Sequence, residues 1–401
     1  MKKLLLLGGS YQQIPAIEVA KTLGYYTVLC DYLPDNPGQF AANQFYLAST
    51  TDKEKILDIA IREKIDGIIA YASDPAAPTA SYVAEQLGLP TNPYKSVEIL
   101  CNKDLFRQFL AENGFHTPQA KGYDSCEEAL ADLSDYKFPV LVKPVDSSGS
   151  KGVSLVEVEH EPVLRAKFEE AMKMSKVKRV IIEEYVEKYG YQIAGDGLVV
   201  DGELVFRCFA NDHFDSDGIN PFVPVSASFP YNMPADVCKN VHDEIQRLLS
   251  LLNMKMGTYN FDIRITKDLE VYLMEIAPRS GGNYIPQIIQ YVTDVDLVKC
   301  AVQSAMGEPI DASTYKKELK GYGAYFAVHS KKSGILKEIK IDQQILEHNI
   351  IQNKINFRPG DHVPAFTGAN TALGILMMKF DTMEEMLHKI ENAHQWIEVV
   401  V

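Results

Sequence analysis

"FPVLVKPVDSSGSKGV" runs from Phe138 to Val153. An apolar run leads into Lys143 and Pro144, and Ser147, Ser148, Gly149, Ser150, Lys151 and Gly152 follow. Glycine-rich loops beside lysines suit phosphates, because their backbone N–H groups are unshielded. A P-loop, however, reads G-x-x-x-x-G-K-[ST] and passes into a helix whose N-terminus holds the phosphate. Here the loop passes into "VSLVEV", where Val153, Leu155 and Val158 fall in strand-like order. The stretch therefore predicts two antiparallel strands joined by a flap that can close over phosphates. The alternative is a plain hairpin tip, since glycine and serine also mark ordinary turns.

The neighbours fit the same reading. Upstream, "SVEILCNKDLFRQFLAENGF" predicts one helix ended by Gly114, with Lys103 on it. Downstream come the helix "LRAKFEEAMKM" and the strand "RVIIEEYVE". Lys143, at a strand end, is either snorkelling to solvent or aimed at an anion. Backbone groups around Glu183 to Val186 could meet an adenine edge.

A carboxylate pair lies further on. In "GTYNFDIRI", Phe261, Ile263 and Ile265 alternate with Asn260, Asp262 and Arg264, which puts Asp262 on the polar face. A four-residue loop over 267–270 would set Asp262 opposite Glu275 in "LEVYLMEIAP". Facing carboxylates repel unless a cation lies between them, and magnesium takes one or two carboxylates plus substrate phosphates. Arg279 follows closely, and a guanidinium suits a phosphate in transfer. The alternative is a surface hairpin with solvated charges.

The start of the chain has its own pattern. "LLLL" at 4–7, "YTVLCD" and "DGIIAYAS" read as buried strands. "IPAIEVAKTLGY", "DKEKILDIAIREK" (with Ile56, Leu57, Ala60 and Ile61 on one stripe) and "APTASYVAEQLGLP" read as helices. This alternation predicts a parallel sheet with crossover helices, closing near Pro90–Pro93. Asp31 lies 22 positions after Gly9, close to the ribose-acid spacing of an NAD fold. "GGSYQQIP" nevertheless lacks the later glycines of G-x-G-x-x-G, so a tight turn is favoured over a dinucleotide site.

Bulk properties narrow the classes. With 401 residues, two to three domains are expected. A net charge of −14 disfavours nucleic acid as a partner. The six cysteines are scattered without C-x-x-C, which argues against zinc and for a reducing cytoplasm. "MKKLLLLGGS" mimics a secretion signal, but its apolar run falls short of the roughly 7–15 residues needed. No run is long enough for a membrane span.

Taken together, "NKDLFRQFL", "FPVLVKPVDSSGSKGV", "VIIEEYVE", "YNFDIRI" and "LEVYLMEIAPRSGGN" resemble the ATP-grasp superfamily in order and separation. The resemblance implies a mixed α/β and α+β chain in three parts. Residues 1–95 would be a Rossmann-like preceding domain, 96–308 an ATP-grasp domain of two α+β lobes, and 309–401 a C-terminal α+β lobe. It implies ATP and Mg2+ as cofactors. Lys103 and Lys143 would contact ATP phosphates, with Ser147, Ser148, Gly149, Ser150, Lys151 and Gly152 as the flap and Lys151 a further phosphate contact. Glu183, Glu184 and Val186 would form the adenine hinge. Asp262 and Glu275 would bind magnesium, and Arg279 would meet the γ-phosphate as a catalytic residue beside Glu275. Two departures stand out. Many members read E-[IV]-N-P-R, and here the asparagine ligand is replaced by Ala277. The carboxylate that grips the ribose in the family is not obvious in "EKYGYQIAGDG", where Gln192 or Glu187 would serve.

"EIAPRSGGN" and "FRPGDHVPAFTGANTALG" are most similar to the branch holding L-amino-acid ligases and carbamoyl-phosphate-synthase-like proteins, whose fold glycinamide ribonucleotide synthetase and biotin carboxylases share. The reaction implied joins a carboxylate to an amine through an acyl phosphate, releasing ADP and phosphate. The alternatives are a bicarbonate-using carboxylase and a non-catalytic nucleotide-binding regulator. No biotin-carrier segment is seen; "MKM" at 172–174 falls on a helix. The expected partners are a small carboxylate and a small amine, with a homodimer as an open option and the cytoplasm as location. "ANDHFDSDGINPFVPVSAS", with His213 and Ser226, is the candidate acceptor segment, an ordinary loop and strand being the alternative.

Overall fold

Leu4, Leu5, Leu6 and Leu7 are each almost wholly buried, as an unbroken apolar run demands of a strand covered on both faces. In the computed structural model, which describes all 401 residues, this strand (Lys3–Leu7) lies inside a four-stranded parallel sheet. The order is Gln44–Leu47, Tyr26–Asp31, Lys3–Leu7, Gly67–Ile69. The edge strand Gln44–Leu47 was not expected; it is short and only half-buried, so its sequence carries little pattern. Helices Ile14–Thr22, Lys53–Glu63 and Ala77–Leu87 complete the unit. On the second of these, Ile56, Ile59 and Ala60 face the core and Ile61 turns to solvent, which corrects the expected stripe. The Asp31 carboxylate accepts from the N–H groups of Gly9 (2.7 Å) and Leu33 (2.8 Å). It ties the turn, and both oxygens are engaged.

The expected helix before Gly114 is two helices, Tyr94–Cys101 and Lys103–Glu112. Asn102 breaks them with extended backbone, its side chain accepting from Leu105 N–H. Asn is a strong N-cap, so the second helix starts afresh there. The break places Lys103 at the first helical position, where its N–H donates to Val145 O at 3.0 Å.

The glycine loop joins Val140–Pro144 to Ser154–Val156 in an antiparallel pair, with Val140 opposite Val156 and Val142 opposite Ser154. A hairpin was expected, and a hairpin is found. Its phase differs: Ser154 and Val156 point inward, Leu155 lines the cleft, and Val158 lies beyond the strand, 66% exposed. With Ala120–Tyr123 and Val180–Glu184 these strands form a four-stranded sheet. Helix Glu161–Met174 packs on it, carrying the "MKM".

A second antiparallel sheet has eight strands. Its order is Val271–Ala277, Gly257–Ile265, Gln192–Val200, Glu203–Phe214, Pro224–Phe229, Tyr322–Val328, Gly374–Phe380, Ile350–Ile355. Strands after residue 308 thus continue the sheet begun before it. One apolar core joins the N-terminal unit to this sheet, running from Leu5 and Val28 through Phe106 and Ile245 to Tyr259 and Phe261.

Asp262 faces Glu275 across the first two strands of this sheet, the expected pairing. The loop is one residue longer than expected: Ile265 pairs with Val271, and a bulge between Asp262 and Ile263 restores the alignment. Bulges re-aim side chains, and this one sets the carboxylate pair.

Candidate active site

Lys143, at the end of its strand, is only 8% exposed, and its ammonium bonds Glu183 on the neighbouring strand. Glu183 is wholly buried and shares its other oxygen with Arg107 Nε at 3.0 Å. Arg107 lies one turn after Lys103 on the same helix and also donates to Leu273 O in the large sheet (3.3 Å). Burial alone would raise the Glu183 pKa, yet the two cations hold it down to about 2. Burial lowers the Lys143 pKa to about 8, aided by repulsion from Arg107 and Lys103 and against the pull of Glu183. One carboxylate therefore serves two cations, and this cluster of three carries one surplus positive charge. Nη2 of Arg107 is buried without a partner.

Lys103 reaches the cleft from the other side. Its Nζ donates to Ser147 O at 2.7 Å and stands 3.6 Å from Glu275 Oε2. Oδ1 of Asp262, directly across from Glu275, is buried with no hydrogen-bond partner. Burial pushes the Asp262 carboxyl up to about 6, opposed by Arg264 and reinforced by Glu275. An orphaned carboxylate oxygen beside a second carboxylate fits a divalent cation. No third His, Cys, Asp or Glu joins the pair. Magnesium needs none where phosphates and water complete its shell.

The flap is docked. Ser150 Oγ donates to Phe222 O (2.7 Å), Asn220 Nδ2 donates to Ser150 O (3.0 Å), and Ala369 N–H donates to Gly149 O (3.3 Å). Ser147 Oγ donates to Lys151 O (2.9 Å), closing the loop on itself. Gly149, Ser150 and Gly152 all have positive φ, between 59° and 72°, which explains the glycines. Ser148 is half-buried and Lys151 exposed.

The expected hinge lies at the cleft's far end. Glu184 accepts from Lys137 N–H (2.8 Å). The N–H groups of Glu184 and Tyr185 are taken by Gln119 O and Pro139 O. Val186 O accepts from Arg264 Nη1 at 2.8 Å. Gln192 is buried; its Oε1 accepts from Arg264 Nε at 2.7 Å, and its Nε2 lies 3.4 Å from Asp212 Oδ2. Burial, then Asp262, drive the Asp212 carboxyl well above its usual range. Leu155, Tyr185, Arg264 and Asp212 line one end of a cavity of about 1210 Å³ that runs on to His329 and Lys331 of the C-terminal part. His213 lines it too, bonded to Ser228 Oγ at 2.8 Å. Ser226 is fully buried and donates to Tyr325 O, so it does not reach a substrate.

Arg279 lies just beyond the Glu275 strand, with its guanidinium turned to the N-terminal unit. Nε and Nη2 each donate at 2.7 Å to one oxygen of Asp74. The fold thus brings together Lys103, Lys143, Glu183, Asp262, Glu275 and the flap, with Val186 and Gln192 at one end and Arg279 at the other. Sequence reasoning missed Arg107, Asp74, Asp212 and Arg264. Only Arg107 carried a signal, its i+4 spacing from Lys103; the others depend on strands and domains meeting.

Known proteins resemble this chain in sequence and in fold. Residues 136–287 match the ATP-grasp domain family. The chain is 25% identical over 327 residues to the C-terminal section of the carbamoyl phosphate synthase large chain of Aquifex aeolicus, covering 77% of this chain and 59% of that protein. It spans less than two thirds of the curated relatives it matches. It shares the fold of an L-amino acid ligase from Bacillus licheniformis (TM-score 0.80, 20% identity, 100% of this chain and 98% of that one). It also shares the fold of a phosphoribosylglycinamide synthetase from Anaerococcus prevotii (TM-score 0.76, 20% identity, 100% and 99%). Residues 136–287 are thus an ATP-grasp domain, the domain of ligases that use ATP with magnesium.

Proposed function

We propose that the protein is a carboxylate–amine ligase that activates its acid as an acyl phosphate and releases ADP and phosphate. One observation carries this reading. Asp262 and Glu275 face each other on the large sheet with one oxygen orphaned, beside Lys103 at the start of its helix and Lys143 at the end of its strand in the smaller sheet. That is a cation-plus-phosphate cradle with a docked flap over it.

In this reading ATP, held with magnesium on Asp262 and Glu275, supplies the phosphoryl group that activates the acid. Lys103 and Lys143 neutralise phosphate oxygens, Lys143 being held in place by Glu183 and Arg107. Leu155, the Glu184 carbonyl and the Val186 N–H would take the base, Glu183 being buried between two strands and spent on Lys143 and Arg107, and Gln192, held by Arg264, would meet the ribose. Arg279 orients the oxygens in transfer. Ser147, Ser148, Gly149, Ser150, Lys151 and Gly152 exclude water, which would otherwise hydrolyse the activated acid. Activation by ATP leaves the chain no nucleophile to supply, and the serine of the Ser228–His213 pair beside the cavity is wholly buried. The acceptor enters the cavity between Asp212 and Lys331.

The test is phosphate release from ATP with amino acids, small carboxylates and bicarbonate, singly and in acid–amine pairs. Turnover that needs both an acid and an amine supports the ligase. Turnover on bicarbonate alone supports a carboxylase, and tight ATP binding without turnover in any arm supports a regulator.

A further inference from the structure

Arg279 has five N–H donors, and their use can be counted. Asp74 takes one from Nε and one from Nη2, both at 2.7 Å, and Ser280 O takes one from Nη1 at 3.1 Å. Two remain, one on each terminal nitrogen. Because the guanidinium is planar, a carboxylate bound along the Nε–Nη2 edge fixes the orientation of the whole fork. Asp74 follows the strand Gly67–Ile69 in the N-terminal unit, 205 positions from Arg279. Both side chains are largely covered, 17% and 10% exposed.

The turn after Arg279 is held from the same side. Asn283 N–H donates to Gln12 Oε1 at 2.8 Å, and Gln12 Nε2 returns a bond to Asn283 Oδ1 at 3.2 Å. Asn283 and Tyr284 have φ of 53° and 60°, a left-handed pair that side-chain-bearing residues adopt only when held. Gly281 N–H is bound to Asp196 at 2.8 Å. The N-terminal unit thus grips the segment on which the reading above places phosphoryl transfer. The other carboxylates acting on Arg279 are Glu275 and Asp196. A fork freed from Asp74 is drawn toward Glu275, the proposed metal ligand.

We infer that Asp74 is a positioning residue: its bidentate grip, from a separate unit of the fold, aims the two unspent N–H groups of Arg279 at the phosphoryl group in transfer and keeps Arg279 off Glu275. This rests on the ligase reading, and its test separates the two. The full chain is titrated with MgADP alone and with MgADP plus aluminium fluoride, a mimic of the phosphoryl group in transfer. Wild type, Asp74→Asn, Asp74→Glu and Arg279→Lys are compared. Wild type is expected to bind the aluminium fluoride complex at least tenfold tighter than MgADP. Asp74→Asn should lose that preference, bind MgADP within twofold of wild type, and share its loss with Arg279→Lys. Asp74→Glu should recover part of the preference. If wild type shows no preference, the phosphoryl-transfer reading falls, and the inference with it. If Asp74→Asn keeps the preference, the inference alone is overturned. If Asp74→Asn and Asp74→Glu weaken MgADP and the mimic equally, Asp74 only joins the two units, and the positioning role is likewise refuted.

Discussion

Asp262 sits directly across from Glu275, and one of its oxygens, Oδ1, is buried without a hydrogen-bond partner. A carboxylate so placed costs stability until a cation arrives. Burial holds its pKa near 6, above the unfolded value of about 4. The folded chain therefore binds the proton more tightly, and the stability this provides below about pH 4 is lost as pH rises through 6. Asp262→Asn removes that loss. Without metal at pH 7.5, it should stabilise the protein by about 1–2 kcal/mol and abolish magnesium binding. Thermal melting with and without magnesium checks both halves. A variant less stable than wild type in chelator would refute the account.

The same protonation predicts a pH profile for metal affinity. Magnesium competes with the Asp262 proton, so its affinity should be constant above about pH 7 and fall by up to tenfold per pH unit below 6. Calorimetric titration in the presence of ADP from pH 5 to 8 measures it. In Glu275→Gln, magnesium should bind too weakly to support turnover. Normal turnover by that variant at low magnesium would remove Glu275 from the site.

Lys143 and Arg107 share Glu183 but should fail differently. Lys143→Ala leaves the Glu183–Arg107 pair intact. It should weaken nucleotide binding by about 1.5–3 kcal/mol without unfolding the protein. Arg107→Met breaks a buried pair that also ties to Leu273 O, and should destabilise by about 3–5 kcal/mol. Equal melting temperatures for the two variants would contradict this division.

The flap is tied chiefly through Asn220, which donates to Ser150 O and to Thr367 O, both at 3.0 Å. Asn220→Ala should loosen closure, speed nucleotide release several-fold and raise ATP hydrolysis uncoupled from ligation. Gly149→Pro should do so more strongly, because proline cannot adopt φ of 66°. Stopped-flow release of a fluorescent nucleotide reports it. Unchanged release in both variants would mean that the flap does not close on the nucleotide.

The parts legible in sequence were those with local pattern. The hairpin around the flap showed as two apolar runs about a glycine loop, and the Asp262–Glu275 pairing followed from strand alternation. The details that slipped were positional: the break at Asn102, the inverted phase of Leu155, and the bulge that offset a longer loop. Each depends on one residue's backbone choice. Long-range partners were not legible at all. Nothing near Asp74 marks it as the counter-ion of Arg279, and Gln192 gains its setting only from Arg264 and Asp212, which neighbouring strands bring to it.

The central claim is that ATP passes its terminal phosphoryl group to a carboxylate. It is tested most directly by adding hydroxylamine to the full chain with ATP, magnesium and the acid identified by phosphate-release screening. The account predicts a hydroxamate of that acid, formed together with ADP and phosphate and absent without magnesium or in Glu275→Gln. Formation of AMP and pyrophosphate would contradict it, because the chemistry would then lie at the α-phosphate.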